Sequence, residues 1–99
     1  MSKIAVEIGG LRSGADELEQ RNQELKNAIN ELESLEGRLN GMWDGEANDS
    51  FHQSFMNDKI QMTNFYNAIA QYVATLRSIA DRYQQAEINN TDTARQRSY

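Results

Sequence analysis

Trp43-Asp44-Gly45 stands at the one clear break between two long runs of heptad-spaced apolar residues. Upstream, Ile4, Leu11, Leu18, Leu25, Leu32 and Leu39 recur every seven positions, and a second row, Ile8, Ala15, Asn22, Ile29, Glu36 and Trp43, runs beside them. Downstream the rhythm resumes in steps of four and three through Phe51, Phe55, Asp58, Met62, Phe65, Ile69, Tyr72, Leu76, Ile79, Tyr83 and Ala86. Such spacing lays apolar side chains in one stripe along a helix. The pattern predicts an all-α chain: helix, tight turn, helix, with a bulky aromatic at the apex.

Composition agrees. The 99 residues contain no Pro, which fits long uninterrupted helices, because an interior proline costs a helix about 3 kcal/mol. With no Cys, a disulfide framework and thiolate metal sites are excluded. The net charge is −5 and the ten basic residues are scattered from Lys3 to Arg97. No basic stripe marks a nucleic-acid surface, and anionic membrane surfaces are disfavoured for the same reason. The N-terminal apolar stretch meets Glu7, Gly9 and Gly10 before it forms a signal-peptide core. No run approaches the roughly 18 apolar residues of a membrane span.

A single hairpin domain is expected over residues 1–99, with a first helix over about 5–41, a turn over about 42–45 and a second helix over about 46–88. Gly9, Gly10 and Gly14 weaken the first turns, and Ser13 with Asp16 offers a later capping-box start. Gly41 and Gly45 flank the turn, where glycine permits the left-handed backbone that ends a helix. Asp44 is placed to cap the second helix. Asn89 through Thr93 end it, and a polar tail over 89–99 is expected to be disordered.

Helices of about 37 residues are roughly 55 Å long, and a short turn forces them antiparallel. A lone hairpin leaves much of such a stripe in water, the more so because Ala28, Leu35 and Met42 widen it on the first helix and Tyr66, Val73 and Ala80 on the second. Apolar faces of this size mark partner surfaces, and two hairpins closing a four-helix bundle dimer would cover it. The expected stripe consists of Leu11, Leu18, Leu25, Ile29, Leu32, Leu39, Phe51, Phe55, Met62, Phe65, Ile69, Tyr72, Leu76 and Ile79. Asn22, Glu36 and Asp58 interrupt the rows. Each either reaches water at the stripe edge or sets the register from within, and Asn22 is the best placed for the second role.

Catalytic chemistry finds no footing. The single histidine, His52, has Asp49 and Glu46 nearby, but on one exposed helix with neither a cleft nor an activated nucleophile. One His among scattered carboxylates makes no metal site, and Gly9-Gly10 lacks the strand and Lys-Ser/Thr of a phosphate loop. The sequence points to a non-enzyme without cofactors. Trp43 has two readings, a core residue closing the end of the bundle or an exposed binding anchor.

A helical hairpin of about a hundred residues with Trp-x-Gly at its apex resembles the WXG family, the early-secreted-antigen-like substrates of type VII secretion. Trp43 and Gly45 supply the turn motif. Tyr83 and Glu87 match the Tyr-x-x-x-Asp/Glu export signal of that family, and positions four apart share one helix face. The two motifs lie roughly 60 Å apart along the second helix, so they would meet only between hairpins packed in opposite directions, as a composite signal on a folded dimer.

The resemblance implies export, without a cleavable signal peptide, from the cytoplasm of a Gram-positive or related bacterium to the cell surface or beyond. It implies a membrane ATPase motor as partner, a second copy or a related hairpin as companion, and a role in virulence or as helper of a larger secreted toxin. Two other readings stay open: a cytosolic coiled-coil adaptor in which Trp-x-Gly is accidental, and a membrane-active effector that uses the apolar face once dimers dissociate.

Overall fold

The computed structural model describes residues 3–97 and consists of two helices in a hairpin, α1 (Lys3–Met42) and α2 (Glu46–Arg97). α1 begins at Lys3 and passes through Gly9, Gly10 and Gly14 without a break. Gly41, expected at the turn, lies inside α1, and Gly45 alone among the described residues has a positive φ, +115°. The Asp49 amide donates to the Gly45 carbonyl at 3.1 Å, so Gly45, not Asp44, occupies the cap of α2. Glu46 and Asp49 then place negative charge in its first turn, where the helix dipole favours it.

α2 runs on to Arg97, past the stop expected near Ile88. Asn, Thr and Asp each cost a helix only a few tenths of a kcal/mol, and this stretch has neither Gly nor Pro to break it. A Gln85–Asn89 side-chain hydrogen bond of 3.2 Å spans the expected end. The tail expected to be disordered is therefore helical through Arg97; Ser98 and Tyr99 lie outside the described residues, as does the side chain of Ile4.

Packing divides the chain into two compact units, Gln20–Ala70 on one hand and Met1–Glu19 with Gln71–Tyr99 on the other. In Gln20–Ala70, Ile29 is fully buried. Three of the polar contacts between α1 and α2 in this unit join positions equally far from Asp44. Asn48 Nδ2 donates to Asn40 Oδ1 at 2.8 Å. Glu36 pairs with His52 Nδ1. Asn22 Nδ2 donates to the Tyr66 carbonyl at 3.0 Å. Asn48 also lies 3.4 Å from the Asn40 carbonyl, one of those that the end of α1 leaves without a helical partner.

In the other unit the buried residues among those described are Ile8, Ala15, Val73 and Ala80. They obey the same symmetry: Ile8 mirrors Ala80 about Asp44, and Ala15 mirrors Val73. Each level thus combines one branched side chain with one alanine, a combination that fills a narrow seam without overpacking.

The expected dimer and core stripe lies mostly beside the contact between α1 and α2. Of its members only Ile29 is buried. Leu11, Leu18, Leu25, Phe55, Met62, Ile69, Leu76 and Ile79 are half-buried, while Leu32, Leu39, Phe51, Phe65 and Tyr72 are exposed. The intrachain seam instead follows Ile8, Ala15, Asn22, Ile29 and Glu36. Asn22 and Glu36 therefore sit inside the seam and not at its edge; Asp58 is exposed. Hydrophobic pattern locates an apolar arc, but the line of contact within it depends on which side chains face the second helix.

Substituting Ile29→Ala is expected to lower stability by about 2–5 kcal/mol, as for other buried aliphatic truncations. Arg12→Ala, which removes only a surface pair, should change it far less. Urea unfolding followed by circular dichroism would separate the two.

Candidate functional site: an apolar flank and an aromatic apex

The two sides of the seam differ in chemistry. On α1, the residue three after each seam position is leucine: Leu11, Leu18, Leu25, Leu32 and Leu39. The residue four after is polar: Arg12, Glu19, Lys26, Glu33 and Asn40. These positions fall on opposite sides of the contact line.

The polar flank makes the ion pairs. In the unit of Met1–Glu19 and Gln71–Tyr99, Arg12 reaches Asp81 at 2.9 Å and Gln84 at 2.8 Å. Arg77 reaches Glu19 at 2.6 Å and Asp16 at 3.0 Å. The hydrogen bonds that Arg77 donates to Asp16 and then to Glu19 raise the pKa of its guanidinium above the ordinary value. In Gln20–Ala70, Lys59 pairs with Glu33 at 2.5 Å, and Lys26 Nζ stands 5.4 Å from the centre of the Tyr66 ring. These groups are largely in water, so screening leaves them to orient the helices more than to stabilise them.

The other flank has its apolar groups in water. In Gln20–Ala70, Leu32, Leu35, Leu39, Phe51 and Phe65 are all more than two-fifths exposed. In the other unit Tyr72 is 61 % exposed. Phe51, Phe65 and Tyr72 each directly precede a seam position on α2, which sets them toward one side of the contact line.

At the apex, Trp43 is neither sunk in a core nor free of contact. Its indole is 43 % exposed and lies tilted at 49° to the Phe51 ring, centroids 6.1 Å apart. Met42, beside it, is 80 % exposed. The ring packs against one other aromatic and keeps a little over two-fifths of its surface in solvent.

In the other unit, Tyr83 is 46 % exposed. It falls three after the seam residue Ala80, in line with half-buried Leu76. Glu87, one helical turn on, falls seven after Ala80, in the seam row, and is partly buried. Both residues of the sequence motif thus lie toward the seam side of α2, with the phenol the more accessible.

His52 does not join Asp49 and Glu46 in an acid–base cluster. It turns to Glu36 across the seam, and the Glu36 side chain is 6 % exposed. Sequence reading missed this pair and the Asn40–Asn48 contact. The available signal was the mirror symmetry about Asp44, which places His52 level with Glu36 and Asn48 level with Asn40. Among the described residues no group of His, Asp and Glu is arranged to hold a metal, and no helix is long and apolar enough to cross a membrane.

Residues 3–88, which include the exposed tryptophan, the glycine of the turn and the Tyr83–Glu87 pair, match the family described as proteins of 100 residues with WXG. The chain belongs to the WXG100 family. No curated protein and no solved structure matches it. WXG100 proteins are small, helical and non-enzymatic, are secreted through type VII systems, and generally form dimers of helical hairpins.

Trp43→Ala is expected to cost about 1–2 kcal/mol, because an exposed ring forfeits less burial than the 3–5 kcal/mol of an enclosed one. Chemical denaturation of both proteins at equal concentration would check this.

Proposed function

We propose that this WXG100 protein is a non-enzymatic substrate of a bacterial type VII secretion system, exported as a folded dimer of hairpins. The observation that carries the reading is the leucine and aromatic flank, exposed beside a seam whose other flank carries the ion pairs. Apolar surface of that extent is unfavourable in water at roughly 25 cal/mol per Å², and a second copy of the chain supplies a matching surface. A related hairpin with the same apolar flank would satisfy the same requirement.

Tyr83 and Glu87 are the export signal in this reading, completed by Trp43 and Gly45, and the membrane ATPase of the system is the receptor. The tyrosine is accessible and the glutamate follows at the four-residue spacing that presents both together. After export the protein acts at the cell surface or outside, as a virulence-associated factor or as helper to a larger secreted toxin.

Two measurements test the proposal. In a strain with an active type VII motor, the protein should accumulate in the culture medium, and Tyr83→Ala should reduce that export several-fold with an unchanged helical spectrum. Retention of the unmodified protein in the cytoplasm would favour an adaptor role instead. Leu32→Glu or Phe65→Glu should shift the sedimentation mass from dimer to monomer. A monomer before any substitution, with no companion hairpin, would overturn the paired form.

A further inference from the structure

The turn carries one backbone feature that no other described residue shares, the positive φ of Gly45. A Cβ built there meets nothing within 4 Å. Backbone conformation, and not lack of room, therefore requires glycine, since an L side chain is strained at +115°. Trp43, Asp44 and Glu46 are all residues that a continuous helix accepts. Straightening the turn would also give helical partners to the carbonyls at the end of α1 and the amides at the start of α2.

Three polar contacts of Gln20–Ala70 add a second, independent observation. Asn40 with Asn48, Glu36 with His52, and Asn22 with Tyr66 all join positions mirrored about Asp44. Contacts of that symmetry do not record whether α1 and α2 belong to one chain. They form equally between α1 of one copy and α2 of another lying antiparallel to it, which is the geometry of domain exchange. In the native chain the short turn keeps the two partners at high effective concentration, and the hairpin prevails.

We propose that Gly45 is the conformational switch that selects the hairpin, and that an L residue at this position yields a helix-exchanged dimer with a second copy. The same polar contacts then run between chains.

The test uses Glu33→Cys with Lys59→Cys, whose native side chains meet at 2.5 Å, in a chain that has no other cysteine. A short bis-maleimide joins these thiols within one chain in the hairpin and between two chains in the exchanged dimer. Both lie on the charged flank, so dimers paired through the leucine flank do not mimic the result. With Gly45 present, the denaturing gel should show the single-chain product. Gly45→Ala should give mainly the two-chain product, in a fraction that falls on dilution.

Gly41→Ala, a substitution at an exposed helical glycine with equal room, should leave the single-chain product unchanged. Two glycines inserted after Asp44 in the Gly45→Ala chain should restore the single-chain product. A Gly45→Ala protein that stays single-chain, or that loses its helical circular-dichroism signal, overturns the assignment. So does exchange in Gly41→Ala, or failure of the inserted glycines to reverse it.

Discussion

The turn at Asp44-Gly45 sets which residue of α1 lies level with which residue of α2, and the rest of the packing follows from that alignment. A heptad pattern alone tolerates slippage by whole repeats, because leucine succeeds leucine. The polar seam residues do not. A shift of seven would take Glu36 from His52 and Asn40 from Asn48, leaving buried polar groups unpaired at about 1–3 kcal/mol each. Turn and seam therefore specify the same register, which is the local and global agreement expected of a sequence with one native state.

That specification has a cost. Asn22 Oδ1 and Asn48 Oδ1 are buried without hydrogen-bond partners, and Glu36 is almost fully enclosed against a half-exposed imidazole. An apolar seam of the same volume would be the more stable. A polar group that costs stability while restricting the number of possible pairings is a recognised arrangement in paired helices. The three contacts cluster in Gln20–Ala70, whereas the buried seam of the other unit is built from Ile, Val and Ala.

The hairpin and its apex were legible in the sequence because helical periodicity is strong and the break in it is short. The line of contact was not. Ile8, Ala15, Asn22, Ile29 and Glu36 read as a poorer apolar row than the five leucines beside them, yet they form the seam. One alanine and two polar residues in that row, with Ala80 opposite, allow close approach of helices, and larger leucines suit a wider surface. The end of α2 was misplaced because Asn and Thr signal a stop only weakly without glycine or proline. For the candidate site, Trp43 stands out by its place between the heptad runs and Tyr83 by the family resemblance, but the half-exposed state of each depends on neighbours that no one-dimensional pattern records. Gly41 and Gly45 looked equivalent; the backbone angle at Gly45 tells them apart.

The leucines and the ion-paired residues on α1 differ in position by a single residue, yet they give the seam two sides of opposite character. Charged side chains already engaged with one another, and hydrated outside, offer an incoming molecule little to gain. Covering those groups would require stripping water from Arg12, Arg77, Lys59 and their carboxylates. Along α1, the leucine row is the side on which burial would gain the most free energy, and the charged row the side on which it would gain the least.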